Sequence, residues 1–585
     1  IMEVIMRNVF DSIPIPRVGR SYFDLSHTHK FDCDAGQIIP FVVFPFMPGD
    51  HFKIGNNIVV RPQPMVTPIL SEVKVYTYYF AVSNRIMFGE MVQDSDDKYR
   101  WEIKDRAFER FISGGESGDD DSIEEPLYPI SREPIVNDNW NGIAAGEEGS
   151  NKNDINVTVA NSVAKYSLWD YFGLPTGVVP SLDMQRPRAY PLRAYNLIYN
   201  WYFRDKNFMD EIDVANNLKV LNCCWKKDYF TSALPWTQRG PVPTIPITSV
   251  FSPQVLEPVP STLSLPHAFS NVNTDLKNSN SYPYQKIYSP SSSSRLNLGM
   301  YASESGSANI AGSVELPKHE ISSDALNNAF KIQSTSGITI NDLRLTARLQ
   351  QWMERNAITG IDYRQFILAH FGLAPADERL QKPLFLGSSI NPLWISEVVQ
   401  TSESSETPQG HLSGHGLTAG SNFVCRYSAK EFGWIIGVMV IKPTASYQQG
   451  VPRYLLYQNR YDYPFPEFTH LGERAIYNEE LYLDQSNIEF DDDNNPSFTV
   501  FGYSGIYNEL RYMNDIVSGG LRDSFNYWHW GRIFANPPAL NSDFLKMRPD
   551  KRIFLVQDEP SFICNIGNVI QAWRPLPKYP VPSLL

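Results

Sequence analysis

Charge, cysteine and long apolar runs are all scarce in this 585-residue chain, and each scarcity removes a class of protein. The five cysteines (Cys33, Cys223, Cys224, Cys425 and Cys564) are odd in number, with one pair adjacent and no CxxC. No disulfide framework fits that spacing, so synthesis in a reducing cytoplasm is expected. The longest strongly apolar run, 434–441, is interrupted by Gly437; it has the length of a strand and falls far short of a bilayer span. Residues 1–17 alternate apolar and polar side chains and lack a basic start followed by an apolar stretch, so a signal peptide is not expected.

Catalytic motifs are missing too. No Walker A or H-E-x-x-H motif occurs. Gly502-Tyr503-Ser504-Gly505 lacks the last glycine of a nucleophile elbow, because Ile506 stands there. Gly118-Asp119-Asp120 spells a polymerase metal triplet, but its flanks are Ser, Gly and acid where that chemistry needs hydrophobic strands. His27 and His29 share a strand face near Asp32 and Asp34, yet nothing in the sequence completes a metal site. Asp491, Asp492 and Asp493 form a weak calcium candidate; counted from Asp491, positions six and twelve are Pro496 and Gly502, which excludes an EF-hand. The expectation is no metal, no cofactor and no enzyme.

What is present is apolar and aromatic. The chain is 42% hydrophobic and 13% aromatic, enough to bury a large core, with 43 Pro and 35 Gly spread along most of it. Short segments broken by turn residues predict a mainly β architecture with long excursions. Strands are expected at 38–46, 73–82, 431–441, 498–503, 552–557 and 561–573, where β-branched and aromatic residues dominate. Leu192, Tyr195, Tyr199 and Tyr202 recur at helical spacing behind Pro191. Leu345, Leu349, Trp352 and Met353 form a second stripe, and Asp362 to Gly372 carries good start and stop signals for a third helix.

The net charge of −13 is local. Eleven carboxylates against Arg132 and Lys152 give residues 113–160 a charge of −9, leaving −4 for the rest. A face lying against nucleic acid is therefore permitted. Five regions follow: an N-terminal arm and first strands (1–112), an acidic surface insertion (113–160), a helical and loop insertion (161–248), a Ser/Asn/Pro-rich exposed insertion (249–336), and helices, remaining strands and a Pro-rich tail (337–585). No internal repeat is visible.

Several blocks in chain order carry a resemblance. They include Arg20-Ser21-Tyr22-Phe23-Asp24-Leu25-Ser26-His27, Pro48-Gly49-Asp50 and Ser167-Leu168-Trp169-Asp170-Tyr171-Phe172-Gly173-Leu174-Pro175. Asp228-Tyr229-Phe230-Thr231-Ser232-Ala233-Leu234-Pro235-Trp236 is the most recognisable, followed by Tyr447-Gln448-Gln449-Gly450, His470-Leu471-Gly472-Glu473 and Pro537-Pro538-Ala539-Leu540-Asn541. Together they resemble the major capsid protein of microviruses, the gokushovirus-type small single-stranded-DNA bacteriophages. The resemblance implies a viral jelly roll, an eight-stranded β-sandwich with long, partly helical insertions. It implies self-assembly into a T=1 icosahedral shell around circular single-stranded DNA, with 249–336 as a protrusion at the threefold axes used in host attachment. Implied partners are other copies of the chain, an internal scaffolding protein, a DNA-pilot protein, the packaged DNA and a host surface receptor. The implied location is the virion, assembled in the bacterial cytoplasm. A jelly-roll carbohydrate-binding module is the alternative; it would stay monomeric and would not need such insertions.

Two groups of site residues follow. Lys226, Lys227 and Arg239 beside Trp225, Tyr229, Phe230 and Trp236 are candidates for non-specific contact with single-stranded DNA, joining phosphate neutralisation to base stacking. The tail 574–582 holds four prolines, which cannot join the middle of a sheet but suit an extended arm. Trp573, Leu576, Tyr579 and Val581 would anchor that arm on a neighbouring subunit.

Overall fold

The computed structural model describes residues 19–93, 98–104, 107–113, 125–130, 163–238, 340–359, 381–399, 412–469, 471–483 and 499–579, with short pieces at 286–288, 295–297, 301–302, 308–309, 489–490 and 496–497. Ile1–Gly240 with Trp352–Leu585 forms one compact unit, and Pro241–Gln351 forms a second.

Nine antiparallel strands carry the first unit: β1 (Ser21–Asp24), β2 (His27–Cys33), β3 (Ile39–Phe46), β4 (His51–Pro62), β5 (Val73–Ser83), β6 (Leu384–Val399), β7 (Leu412–Ser428), β8 (Gly433–Pro443) and β9 (Phe562–Arg574). Their hydrogen-bonded order is β2-β9-β4-β7 in one sheet and β3-β8-β5-β6 in the other, with β1 continuing the β2 edge along β9. β6 belongs to both: residues 384–393 pair with β5, and 394–399 turn the corner to pair with β7. Early strands thus lie beside late ones, which is the jelly-roll order expected from the sequence.

The strands that bury both neighbours and faces are those with unbroken β-branched and aromatic runs. Ile435, Ile436, Val438, Met439, Val440 and Ile441 of β8 are all buried, and Phe41 meets the Tyr79 ring edge-on at 5.5 Å. Gly437 interrupts the run where β3 shifts register against β8. A Cβ there would stand 2.4 Å from Val42 Cγ1, so only glycine lets the two strands approach.

A polar seam runs through this core. Asn56 Nδ2 donates to Thr77 Oγ1 (3.1 Å) and Tyr79 Oη (3.0 Å), while Asn422 donates to Asn56 Oδ1 (3.3 Å) and to Asn391 Oδ1 (3.2 Å). Most of these groups satisfy one another, which is what makes their burial tolerable; Asn391 Nδ2 alone among those named is left without a partner.

Short turns join β3 to β4 and β7 to β8, whereas 84–383 separates β5 from β6 and 444–561 separates β8 from β9. The first excursion holds helix α1 (Tyr190–Ile198), continued by a π-helical turn, Tyr199–Phe203. Leu192, Tyr195 and Tyr199 are buried as their spacing predicts, and Tyr195 Oη donates to Ile38 O (2.9 Å). Helix α2 (Ile340–Thr359) forms where expected, but Leu345, Leu349 and Trp352 are exposed, so its stripe is not core. Within 249–336 the described pieces are two small hairpins, Lys286–Tyr288 with Arg295–Asn297 and Tyr301–Ala302 with Ala308–Asn309. Asp362 to Gly372 and Gly118-Asp119-Asp120 lie outside the described residues.

The strand expected at 498–503 forms as Val500–Gly505, pairing with Glu473–Tyr477 and bridging Leu234 through Tyr503, apart from the main sheets. One strand expectation needs correction. Residues 552–557 are not a strand: Phe554 makes a single bridge to Met65, while the Arg552 guanidinium is drawn onto the carbonyls of His529 (2.9 Å) and Gly531 (2.7 Å). Buried Lys551 beside it pairs with Asp34 at 3.1 Å.

Candidate functional site

The excursion between β8 and β9 packs against residues 229–230 of the first excursion to build a second, smaller core around Tyr229, Phe230, Tyr447, Ile476, Leu481 and Phe501. Asp228 shapes its most aromatic segment: one carboxylate oxygen accepts from the Phe230 and Thr231 amides (3.0 and 2.7 Å), and the other from Tyr447 Oη (2.7 Å). This is an Asx turn, which aims Tyr229 and Phe230 inward.

Beside that core lies a cavity of about 180 Å³ whose lining includes Tyr229, Tyr447, Pro452, Arg453, Tyr512 and Ile516. An ion pair forms its inner side. Arg453 Nη1 donates to Glu480 Oε1 at 3.0 Å, with both side chains nearly inaccessible. Tyr229 Oη donates to Glu480 Oε2 (2.8 Å) and the Tyr477 amide to Oε1 (3.0 Å). Burial raises the Glu480 carboxyl against the pull of these donors. At the mouth the apolar groups face outward: Met513 is 85% exposed and Ile516 65%. Such a cluster is the kind of patch that marks an interaction surface.

The candidates for DNA contact are split by the fold. Trp225 is buried, with the Arg532 guanidinium 5.1 Å from its ring, and Tyr229 and Phe230 sit in the second core. Their faces are not open for stacking in this conformation. Lys227 Nζ is held by Asp205 Oδ2 (2.6 Å) and Thr231 O (2.9 Å). Lys226 is exposed, Trp236 is half-buried, and Arg239 lies outside the described residues. A more cationic hollow of about 190 Å³ is lined by Trp225, and in it Arg532, Lys546, Arg548 and Arg552 outnumber Asp543 and Asp550. Sequence reasoning missed it, although four cations within 546–552 were a visible signal.

The tail leaves β9 at Arg574, which donates to Pro45 O (2.8 Å) and stands 3.5 Å from Asp50 Oδ2. Trp573 packs on Tyr22 of β1 with ring centres 5.5 Å apart, so it anchors partly within its own subunit. Leu576 is 39% and Tyr579 72% exposed; Val581 lies outside the described residues. So do Asp491, Asp492 and Asp493. His27 Nδ1 lies 2.9 Å from Leu25 O and His29 Nδ1 3.0 Å from Phe41 O, while Asp34 is engaged by Ser561 and Lys551. Among the described residues no group of three His, Cys, Asp or Glu side chains converges to hold a metal ion. No helix among them is long and apolar enough to cross a membrane.

Comparison with known proteins gives one consistent answer. A family described as "Capsid protein (F protein)" matches residues 12–100 and 133–584. The chain is 29% identical to capsid protein VP1 of Chlamydia phage 1, over 99% of this chain and 98% of that one. It is 27% identical to capsid protein VP1 of Bdellovibrio phage phiMH2K, with 98% and 97% covered, and 27% identical to capsid protein VP1 of Spiroplasma virus 4, with 97% and 96% covered.

Proposed function

The chain belongs to the capsid protein (F protein) family, so its role is structural and its place is the virion; from that premise we propose that it builds a T=1 icosahedral shell around single-stranded DNA. The observation that carries this reading is the full-length match joined to a jelly roll whose long excursions present exposed apolar surface. A jelly roll gives a stiff wedge, and self-complementary surface on its excursions lets identical wedges close under point symmetry.

The proposal extends to partners. The exposed insertion 249–336, within the connection from β5 to β6, reaches the outside near the threefold axes and serves host attachment. DNA is held non-specifically, with Lys226 and the cations around Arg532 as the phosphate-facing groups. An internal scaffolding protein and a DNA-pilot protein act with it during assembly, and the tail beyond Trp573 works as an arm between subunits. The test is particle mass. Sixty copies of a 66.6 kDa chain give about 4 MDa. Light scattering or native mass spectrometry of the purified product should find that value, with nuclease-protected single-stranded DNA in full particles. A product that stays monomeric under assembly conditions overturns the reading.

A further inference from the structure

We propose that the tyrosine-lined cavity beside the second core receives the proline-rich C-terminal tail of a neighbouring copy, an assignment that rests on the shell-subunit reading above. The size of the cavity comes first. At about 180 Å³ it is below the range of roughly 300–1,000 Å³ usual for small-molecule sites, and suits one or two side chains. Its lining comes second. Exposed Tyr454 and Tyr512 with Pro452 make the kind of aromatic surface on which extended proline-rich segments dock, over a floor of buried Tyr229 and Tyr447.

The tail has the matching pattern. A polyproline helix has three residues per turn, so Leu576, Tyr579 and Pro582 share one edge while Pro577 and Pro580 share the next. Leu576 and Tyr579 are exposed where the described chain ends at 579, leaving 580–585 beyond it. Charge agrees as well: Asp515, an exposed carboxylate on the lining, is available to Lys578.

Geometry assigns the tail to another copy. Arg574 bonds Pro45, which pairs with Trp434 near the start of β8, whereas the cavity begins at Tyr447, just past the end of β8. At about 3.3 Å per residue, β8 separates these points by roughly 30 Å. Tyr579 lies five residues past Arg574 and reaches at most about 18 Å. β9 also runs toward the Arg574 end, so the tail sets out pointing away from its own cavity.

The test mixes full-length copies carrying Tyr579→Cys with copies carrying Ile516→Cys. Four native cysteines are buried and Cys224 is half-buried, so the new thiols dominate mild oxidation of intact particles. Disulfide-linked dimers on non-reducing gels, formed in the mixed population and not by either variant alone, are the expected result. Intact particles without that cross-link, or with equal cross-linking in a single-variant population, overturn the assignment. If the variants do not assemble, a labelled peptide of residues 573–583 is titrated onto unassembled wild-type chain. Binding weakened at least tenfold by Ile516→Asp supports the assignment, and no binding, or binding indifferent to that change, overturns it. Wild-type chain that forms no particles counts against the shell-subunit reading itself, so the two failures are distinguishable.

Discussion

Replacing Glu480 by Gln should loosen the whole excursion between β8 and β9 while leaving the sandwich intact. Glu480 ties three segments through Arg453, the Tyr477 amide and Tyr229 Oη. Glutamine is nearly isosteric and keeps one acceptor, so packing and most hydrogen bonds survive. The loss is the charge. Arg453 then remains buried opposite a neutral group, and orphaning one member of a buried pair costs about 3–5 kcal/mol. At 1.36 kcal/mol per tenfold, that is roughly 10² to 10⁴ in the local opening equilibrium. Native-state hydrogen exchange on the full chain reads this directly. The amides of Tyr477 and Leu481 should exchange faster by that factor, while those of β5 and β8 keep their protection. The double variant Arg453→Met with Glu480→Leu removes both charges, and should recover most of the loss because no buried ion remains. Exchange within threefold of wild type in Glu480→Gln would refute the reasoning, since it would mean that the pair is effectively solvated.

Further outcomes follow from other features. Burial, with the Glu354 carboxylate behind it, pushes Glu473 up to about 7. The native chain thus keeps a proton that the unfolded chain loses above about pH 4.5, so stability falls as pH rises toward 7 and levels off beyond it; Glu473→Gln should flatten that slope in thermal melts taken from pH 4.5 to 8. Asn56→Val takes the donor from Tyr79 Oη and one of two acceptors from the Asn422 amide in the polar seam, and should cost about 2–3 kcal/mol as a lower urea midpoint with unchanged slope. Deleting 575–585 leaves β9 and the Arg574 contacts whole, so the chain should stay folded with wild-type circular dichroism yet give few particles; full particle yield would make the tail dispensable.

The fold was legible where burial and hydrophobicity coincide. β3, β5 and β8 carry the β-branched and aromatic runs of well-covered strands, β9 alternates buried and exposed residues as a strand covered on one face does, and α1 shows its period through Leu192, Tyr195 and Tyr199. β6 and β7 were hidden by Ser389, Asn391, Thr418 and Asn422, and Asn56 and Asn57 blur the middle of β4. Buried polar side chains that satisfy one another look like a loop until their partners, hundreds of residues away, are seen. The same reason misled in the opposite direction at 552–557, whose apolar letters suggested a strand while Arg552 held the segment as a loop on the His529 and Gly531 carbonyls. At the surface the basic and aromatic residues of 225–239 look like one patch in the sequence. The Asp228 turn faces Tyr229 and Phe230 inward, and no local pattern announces which way a turn aims its rings. The cavity closed by Arg453 and Glu480 joins residues 229, 453 and 480, and so has no signature in any single window.

The position of β9 sets a clock on synthesis. This strand lies between β2 and β4, both complete within the first 62 residues, yet it occupies 562–574. At about 5–20 residues per second, the ribosome needs roughly 25–100 s to make the 500 residues between β4 and β9. Throughout that interval β4 has no partner on the side that β9 will fill, and a nascent neighbour's β9 could pair there in its place. The sheet therefore closes only after residues 562–574 have been made. A chain cut short anywhere before 562 lacks the strand that joins β2 to β4, and its sheet stays split.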